Sequence, residues 1–263
     1  VMKVGYKLEN NFSNNSYGYK LELSKENNNQ VAKGLKLFKP YFYQYQNWRD
    51  NALDAAQALT KRGKDTAIIG LDIKSYFDSV NLSFDKLRQE LKNDFNNVND
   101  ESDEIILTNL LEEIYKRYAD CIDKKEGIPL PIGLLSSSVI ANWYLKEFDQ
   151  AVVEEVNPSY YGRYVDDILI VISNPIIDQN KTSAETALKK IIEKYLCDNN
   201  ILNHPDKSKE NQGAENKNND EQKKKAESKN KENENEYQIA VQNEADEPIY
   251  DNLSIQNKKI NVY

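Results

Sequence analysis

The hydrophobic and polar positions separate into stretches with helical periodicity and short continuous apolar runs. From about 31 to 60, apolar residues recur every three or four positions, which predicts a helix. Two more helices are predicted near 83–96 and 103–118, and a longer one from about 136 to 155. A last amphipathic helix is predicted at 184–196.

The short apolar runs predict strands. Residues 66–73 are apolar without alternation, as expected for a central strand covered on both faces. Residues 160–164 and 168–173 predict two more strands around a very short turn, and 253–256 with 259–263 predict a short hairpin. This mixture of helices and strands is compatible with an α+β fold.

Composition narrows the functional classes. No run of about 18 apolar residues and no apolar signal-peptide core is present, so we expect a cytoplasmic protein without a membrane partner. The single histidine, His204, and the separated Cys121 and Cys197 argue against zinc sites and histidine-dependent nucleophilic catalysis. The net charge of −8 argues by itself against nucleic-acid binding. A nucleic-acid-binding protein, however, needs only a local basic groove, and a metal site within such a protein is itself acidic.

The composition changes sharply between 207 and 237. This segment is almost wholly polar and charged, so we expect a disordered or loosely helical insertion. The chain begins with Val1 and stops within a predicted strand, so we expect it to be a piece of a longer protein.

Two acidic positions carry the candidate chemistry. Asp72 ends the first predicted strand, where a buried carboxylate needs a cation, an ion pair or a helix N-terminus to cap. Asp166 and Asp167 lie between the other two strands, where they form either an ordinary acidic turn or a metal site. If the strands pair, Asp72 and Asp166 converge, and two Mg²⁺ ions about 3.5–4 Å apart become the natural hypothesis.

A third candidate is the glycine- and proline-containing loop at 127–133, followed by Ser136, Ser137 and Ser138. Its glycines allow a ligand to approach the backbone closely. The serines are predicted to cap a helix whose N-terminus favours anions, although an ordinary loop-to-helix entry has the same pattern.

Taken together and in this order, these segments resemble the reverse transcriptase family. Residues 72–78 are similar to its first palm motif, 127–145 to its Pro-x-Gly-x-x-x-Ser loop and helix, and 164–167 to its Tyr-x-Asp-Asp box. Residues 203–207 resemble the next motif, and the last residues resemble the strand turn that grips the primer.

The resemblance implies an α+β, right-hand polymerase palm with a central antiparallel sheet backed by helices, partial helical fingers and no thumb. The implied domains are fingers and N-terminal region at 1–65, palm at 66–206 with a helical insertion at about 83–126, low-complexity insertion at 207–237, and truncated palm end at 238–263.

The resemblance also assigns residues. Asp72, Asp166 and Asp167 would be the catalytic metal carboxylates, with Ile73 adding a backbone carbonyl and Mg²⁺ as cofactor. The implied nucleotide-binding residues are Tyr76, Phe77, Ile132, Gly133 and Lys207. Phe77 would exclude a ribose 2′-hydroxyl.

Two departures from the family pattern concern the nucleotide site. Many relatives have glutamine where Ile132 stands, and an insertion follows Lys207. Both departures bear on how this chain handles its nucleotide.

The implied function is RNA-directed DNA polymerase activity on a nucleic-acid template and primer with dNTPs. The residues of these motifs are most similar to those of bacterial defence-associated reverse transcriptases and, more distantly, to those of retrons. This similarity implies an antiphage role. Untemplated or protein-primed synthesis, and a non-catalytic nucleic-acid-binding palm, stay open. An RNA-dependent RNA polymerase is disfavoured by Phe77.

Lysines and aromatic residues interleave between 33 and 45. Lys33, Lys36 and Lys39 alternate with Phe38, Tyr41, Phe42, Tyr43 and Tyr45. The stripe predicts either a surface that binds a single strand or a helix core with a solvated rim.

Overall fold

The computed structural model describes most of the predicted elements. The described residues are 4–10, 14–24, 36–94, 98–176, 184–203, 236–243, 245, 247–251, 253–256 and 261–262. The predictions for Lys33, His204, Lys207 and nearly all of the 207–237 insertion lie outside them.

Eight α-helices lie in the described part of the chain. They are α1 (Gly5–Asn10), α2 (Tyr41–Lys61), α3 (Tyr76–Ser79), α4 (Phe84–Asp94), α5 (Asp103–Cys121), α6 (Leu135–Tyr144), α7 (Lys146–Ala151) and α8 (Ala184–Ile192). Short π-helical turns, Val152–Val156 and Glu193–Cys197, extend α7 and α8. None of these helices is both long and apolar enough to cross a membrane.

A small antiparallel sheet lies at the centre. Its strands are β1 (Thr66–Asp72), β2 (Tyr160–Tyr164) and β3 (Asp167–Ser173), and a separate pair is formed by β4 (Leu202–Asn203) and β5 (Gln238–Ile239). The edge strand β6 (Asn261–Val262) completes the central sheet, whose order is β2-β3-β1-β6. The predicted class of mixed helix and antiparallel sheet is therefore confirmed.

The two faces of the central sheet are covered differently. On the first face the pairs Ala67–Ile172, Ile69–Ile170 and Leu71–Ile168 are all buried in the main core. We call the second face the cleft face, because α2 covers only the half that lies away from Asp72. Ala52, Ala56 and Leu59 of α2 pack there near Val171. The prediction that β1 is covered on both faces holds for only part of its length.

The predicted helices differ from the observed ones mainly at their ends. The first begins at Tyr41 rather than near 31, because Pro40 precedes it and Phe38 makes a β-bridge to Leu21. The helix predicted at 136–155 is interrupted at Leu145, whose φ of −97° and ψ of 12° leave helical geometry.

The predicted C-terminal hairpin is wrong for the described residues. Ile255 instead bridges to Ile73, and β6 pairs with Ile69 and Gly70, so both segments run antiparallel to β1. The backbone groups along the edge of β1 provide hydrogen-bond partners for both segments. A hairpin formed by the two segments alone would satisfy fewer backbone groups and would be only marginally stable in water.

Candidate active site

Asp72 and Asp167 lie directly opposite each other across β1 and β3. The Ile73 amide donates to the Asp166 carbonyl at 3.1 Å, which makes Asp72 and Asp167 a non-hydrogen-bonded pair. In such a pair the Cα atoms lie about 4.5 Å apart and both side chains leave the same sheet face. Two carboxylates in this arrangement destabilise the sheet unless positive charge is close by.

The turn between β2 and β3 brings the third aspartate to the same end of the sheet. Tyr164 pairs with Asp167, so Val165 and Asp166 alone make the connection. Val165 has a φ of 62°, in the left-handed region that β-branched residues rarely adopt. Strain of this kind costs about 1–3 kcal/mol and is concentrated at functional sites.

A buried ion pair holds this turn from behind. The guanidinium of Arg163 donates two hydrogen bonds to Asp149, both of 2.7 Å, and both residues are fully buried. Burial lowers the pKa of Arg163, but the Asp149 carboxylate outweighs burial and leaves that pKa raised. The same guanidinium donates to the Val165 carbonyl at 2.8 Å and to the Asn142 side chain at 3.1 Å.

The N-terminal segment supports the turn from a second side. The Tyr17 amide donates to the Arg163 carbonyl at 2.8 Å, and Asn142 donates to the Gly18 carbonyl at 2.7 Å. A methyl group on Gly18 would lie 2.5 Å from Val165 Cγ2. Gly18 therefore allows the segment to press directly against the strained residue.

The interpretation from sequence missed these supporting residues, namely Gly18, Asn142, Asp149 and Arg163. A signal for one of them was present, because Arg163 is a charged residue inside a strand predicted to lie deep in the sheet.

The uncovered half of the cleft face forms an open groove. Its volume is about 610 Å³, and its lining includes Asp72, Asp167, Gly70, Tyr45 and Trp48. The two carboxylates therefore lie at the side of a space large enough for a substrate.

The loop before α6 differs in part from the prediction. Ile132 is 70% exposed, and open space lies above Gly133. The prediction that serines cap α6 is wrong, because Leu134 holds the N-cap position. Ser136 and Ser137 instead hydrogen-bond the buried Tyr115 hydroxyl, at 3.1 and 2.9 Å.

Tyr76 and Phe77 follow the first carboxylate on α3. Tyr76 is buried, and its hydroxyl donates to the Ala141 carbonyl at 2.6 Å. Phe77 is half-buried, and its ring lies 5.8 Å from that of Tyr76 in a perpendicular arrangement. Tyr76 thus fixes α3 against α6, and Phe77 is the more accessible of the two rings.

The donor set fits a metal ion that is completed by its substrate. Among the described residues, no three His, Cys, Asp or Glu side chains are grouped closely enough to hold a metal. Mg²⁺ commonly binds through one or two carboxylates together with substrate phosphates, and the Asp72–Asp167 pair supplies that number.

Comparison with known proteins gives the family. No curated protein matches the chain. The family model described as reverse transcriptase (RNA-dependent DNA polymerase) matches residues 18–216, well over half of the 263 residues. That match includes the whole of β1, β2 and β3 with their carboxylates, and the chain therefore belongs to the reverse transcriptase family.

Proposed function

We propose that this chain adds deoxynucleotides to a 3′-hydroxyl by Mg²⁺-dependent nucleotidyl transfer. The observation that carries the proposal is the register of β1 and β3, which sets Asp72 opposite Asp167 beside the strained Val165 turn. Family membership supplies the general reaction, namely synthesis of DNA from dNTPs on a nucleic-acid template and primer.

Asp72, Asp166 and Asp167, with the Ile73 carbonyl, are the proposed ligands of two Mg²⁺ ions. When bound, the metal lowers the pKa of the attacking hydroxyl and neutralises charge on the triphosphate and leaving pyrophosphate. The protein contributes position. The strand register fixes two carboxylates, and Arg163 fixes the turn that carries the third.

The proposed nucleotide site lies between α3 and the loop before α6. Phe77 packs under the sugar and disfavours a 2′-hydroxyl, and Tyr76 supports it from the core. Ile132 and Gly133 approach the nucleotide from the exposed loop. Lys207, proposed to contact the triphosphate, lies outside the described residues.

The residues of the motifs lead to two more specific proposals, one on the biological role and one on the mode of synthesis. The similarity of residues 72–78 and of Ala141-Asn142-Trp143 to bacterial defence-associated reverse transcriptases supports an antiphage role. Untemplated or protein-primed synthesis is the second candidate, and exposed Ile132 favours it because an apolar side chain replaces the glutamine of many relatives.

The arrangement of elements supports a division into parts. The proposed palm is 66–206, which includes β1, β2 and β3, and the proposed partial fingers lie within 1–65. The end of the palm is proposed within 238–263, and the pairing of β6 with β1 supports this part of the division.

The test is incorporation of labelled dNTPs by purified protein with Mg²⁺, with and without template. Asp72→Asn and Asp167→Asn should each abolish incorporation, whereas Asp120→Asn, at an exposed position near the end of α5, should retain it. Equal activity of wild type and both active-site variants would overturn the proposal. Incorporation that ignores the template selects the untemplated reaction.

A further inference from the structure

The first turn of α2 exposes a cluster of aromatic side chains. Tyr41 is 75% exposed, Phe42 51%, Tyr43 57% and Tyr45 43%. The buried residues of α2 all lie further along, beginning at Trp48. The cluster is therefore not the helix core that the sequence left as an alternative, and such exposed apolar groups mark interaction sites.

The cluster is continuous with the catalytic groove. Tyr41, Tyr45 and Arg49 are spaced by four residues and so share one helix face. The Tyr45 ring lies 5.2 Å from that of Tyr164 and perpendicular to it, and Tyr164 opens the turn that carries Asp166. Tyr45 and Arg49 also line the groove that contains the Asp72–Asp167 pair.

Positive charge flanks the aromatic cluster. Lys36 and Lys39 are exposed just before α2. Arg49 is exposed two turns into the helix, where it forms an ion pair of 2.9 Å with Asp50. The two lysines supply local positive charge in a chain whose net charge is −8. Aromatic rings interleaved with cations are the arrangement with which proteins hold single-stranded nucleic acid, by stacking bases and pairing phosphates.

We propose that Tyr41, Phe42 and Tyr43, called here the α2 platform, bind single-stranded nucleic acid by base stacking and lead it along Tyr45 to the carboxylates. The inference rests on the proposed function, which supplies the groove and the path from the platform to the carboxylates. The charge of the flanking residues and the continuity with the polymerase groove favour a nucleic acid over a protein as occupant.

The test is binding of a fluorescent oligothymidylate, and of an RNA of equal length, measured by anisotropy in EDTA. Loss of a ring that stacks on a base weakens binding by about tenfold. Replacing Tyr41, Phe42 and Tyr43 together by alanine should therefore raise Kd at least about tenfold. The variant Tyr41→Phe with Tyr43→Phe, which keeps three aromatic rings, should bind with the Kd of the wild type. Replacement of all three by leucine should weaken binding as alanine does.

The matched control replaces exposed apolar residues elsewhere. Ile106, Leu110 and Ile114 are 48%, 57% and 49% exposed on α5, and their joint replacement by alanine should leave Kd unchanged. Wild-type affinity in the triple-leucine variant would overturn stacking and indicate a general apolar docking surface, as for a protein. Wild-type affinity in the triple-alanine variant, or no binding by the wild type, would overturn the platform itself.

Failure of the platform and failure of the proposed function give different results. In an Asp72→Asn background, which removes catalysis, the triple-alanine substitution should still raise Kd at least about tenfold in EDTA. Binding that depends on the platform, without any dNTP incorporation, would contradict only the catalytic proposal. Normal primer extension together with normal oligonucleotide binding by the triple-alanine variant would contradict only the proposal for the α2 platform.

Discussion

The guanidinium of Arg163 donates a hydrogen bond of 2.8 Å to the backbone carbonyl of Val165, two residues further along the chain. The contact ties the strained residue of the turn between β2 and β3 to the fully buried pair of Arg163 and Asp149. Because the turn carries Asp166 and ends at Asp167, its backbone position sets where two carboxylates lie.

Replacement of Arg163 by lysine should reduce both catalysis and stability. A lysine ammonium lacks the planar fork that reaches Asp149, Asn142 and the Val165 carbonyl together. We expect kcat for incorporation to fall at least about tenfold, and the free energy of unfolding to fall by about 1–3 kcal/mol. Steady-state incorporation and urea unfolding measure the two effects.

A double variant separates positioning from simple support of the fold. Arg163→Met alone leaves Asp149 buried without its cation, at a cost of about 3–5 kcal/mol. Arg163→Met combined with Asp149→Leu replaces the ion pair by two apolar side chains. Stability should recover in part in the double variant, because the buried Tyr161 hydroxyl then lacks its Asp149 acceptor, while kcat stays low. Recovery of both would mean that Arg163 does not position the turn.

Gly18→Ala should impair activity by displacing the turn. The new methyl group would lie 2.5 Å from Val165 Cγ2 and 2.9 Å from the Val165 amide nitrogen, so the turn or the N-terminal segment must shift. We expect a loss of about 1–3 kcal/mol in stability and a clear fall in incorporation. Adding Val165→Ala should recover part of the activity, because it removes the closer contact.

Gly63→Ala is the control for a generic effect of replacing glycine. Gly63 has a φ of +71° with nothing within 4 Å of an added methyl group, and it lies in the turn after α2. This variant should lose about 1 kcal/mol of stability with unchanged incorporation. Full activity of Gly18→Ala would contradict the contact between the N-terminal segment and the turn.

Metal binding should depend on nucleotide. Since the described residues contain no group of three metal-binding side chains, Mg²⁺ alone should barely change Tm. Mg²⁺ with dATP at about 100 times Kd should stabilise the protein by about 2.7 kcal/mol, which thermal-shift measurements detect. Asp167→Asn should lose this shift and Asp120→Asn should keep it, and an equal shift in both variants would contradict the assignment.

Phe77→Val should weaken discrimination against ribonucleotides. A smaller side chain on α3 leaves room for a 2′-hydroxyl, so the ratio of kcat/KM for dATP over ATP should fall at least about tenfold. Single-nucleotide incorporation measures the ratio. Tyr76→Phe, which removes only the hydroxyl bound to Ala141, should lower stability and leave the ratio unchanged. An unchanged ratio in Phe77→Val would remove Phe77 from the nucleotide site.

The two cysteines should differ in reactivity. Cys197 is buried, and burial raises the pKa of its thiol to about 11, whereas Cys121 is exposed. Because the thiolate is the reactive form, Cys197 stays protonated and unreactive at pH 8. Native protein should therefore react with one equivalent of a thiol reagent and unfolded protein with two. Two equivalents reacting rapidly in the native state would contradict the burial of Cys197.

The sequence was most informative where a local pattern decides the structure. The apolar runs around Asp72 and Asp167 and the periodicity of α5 predicted elements close to those observed, because continuous apolar runs and helical spacing depend only on neighbouring residues. It was least informative for Leu145 and the C-terminal segments, because a helix break and an edge pairing depend on distant partners.

The sequence by itself indicated which carboxylates form the candidate site, because the order and spacing of motifs can be read along the chain without knowledge of the fold. Only the tertiary structure decided that Asp72 pairs with Asp167 in register, that Arg163 and Gly18 fix the turn, and that the α2 aromatic residues stay exposed. These relationships join residues up to about 150 positions apart. Packing and hydrogen bonding in the folded chain select such contacts, and local pattern does not encode them.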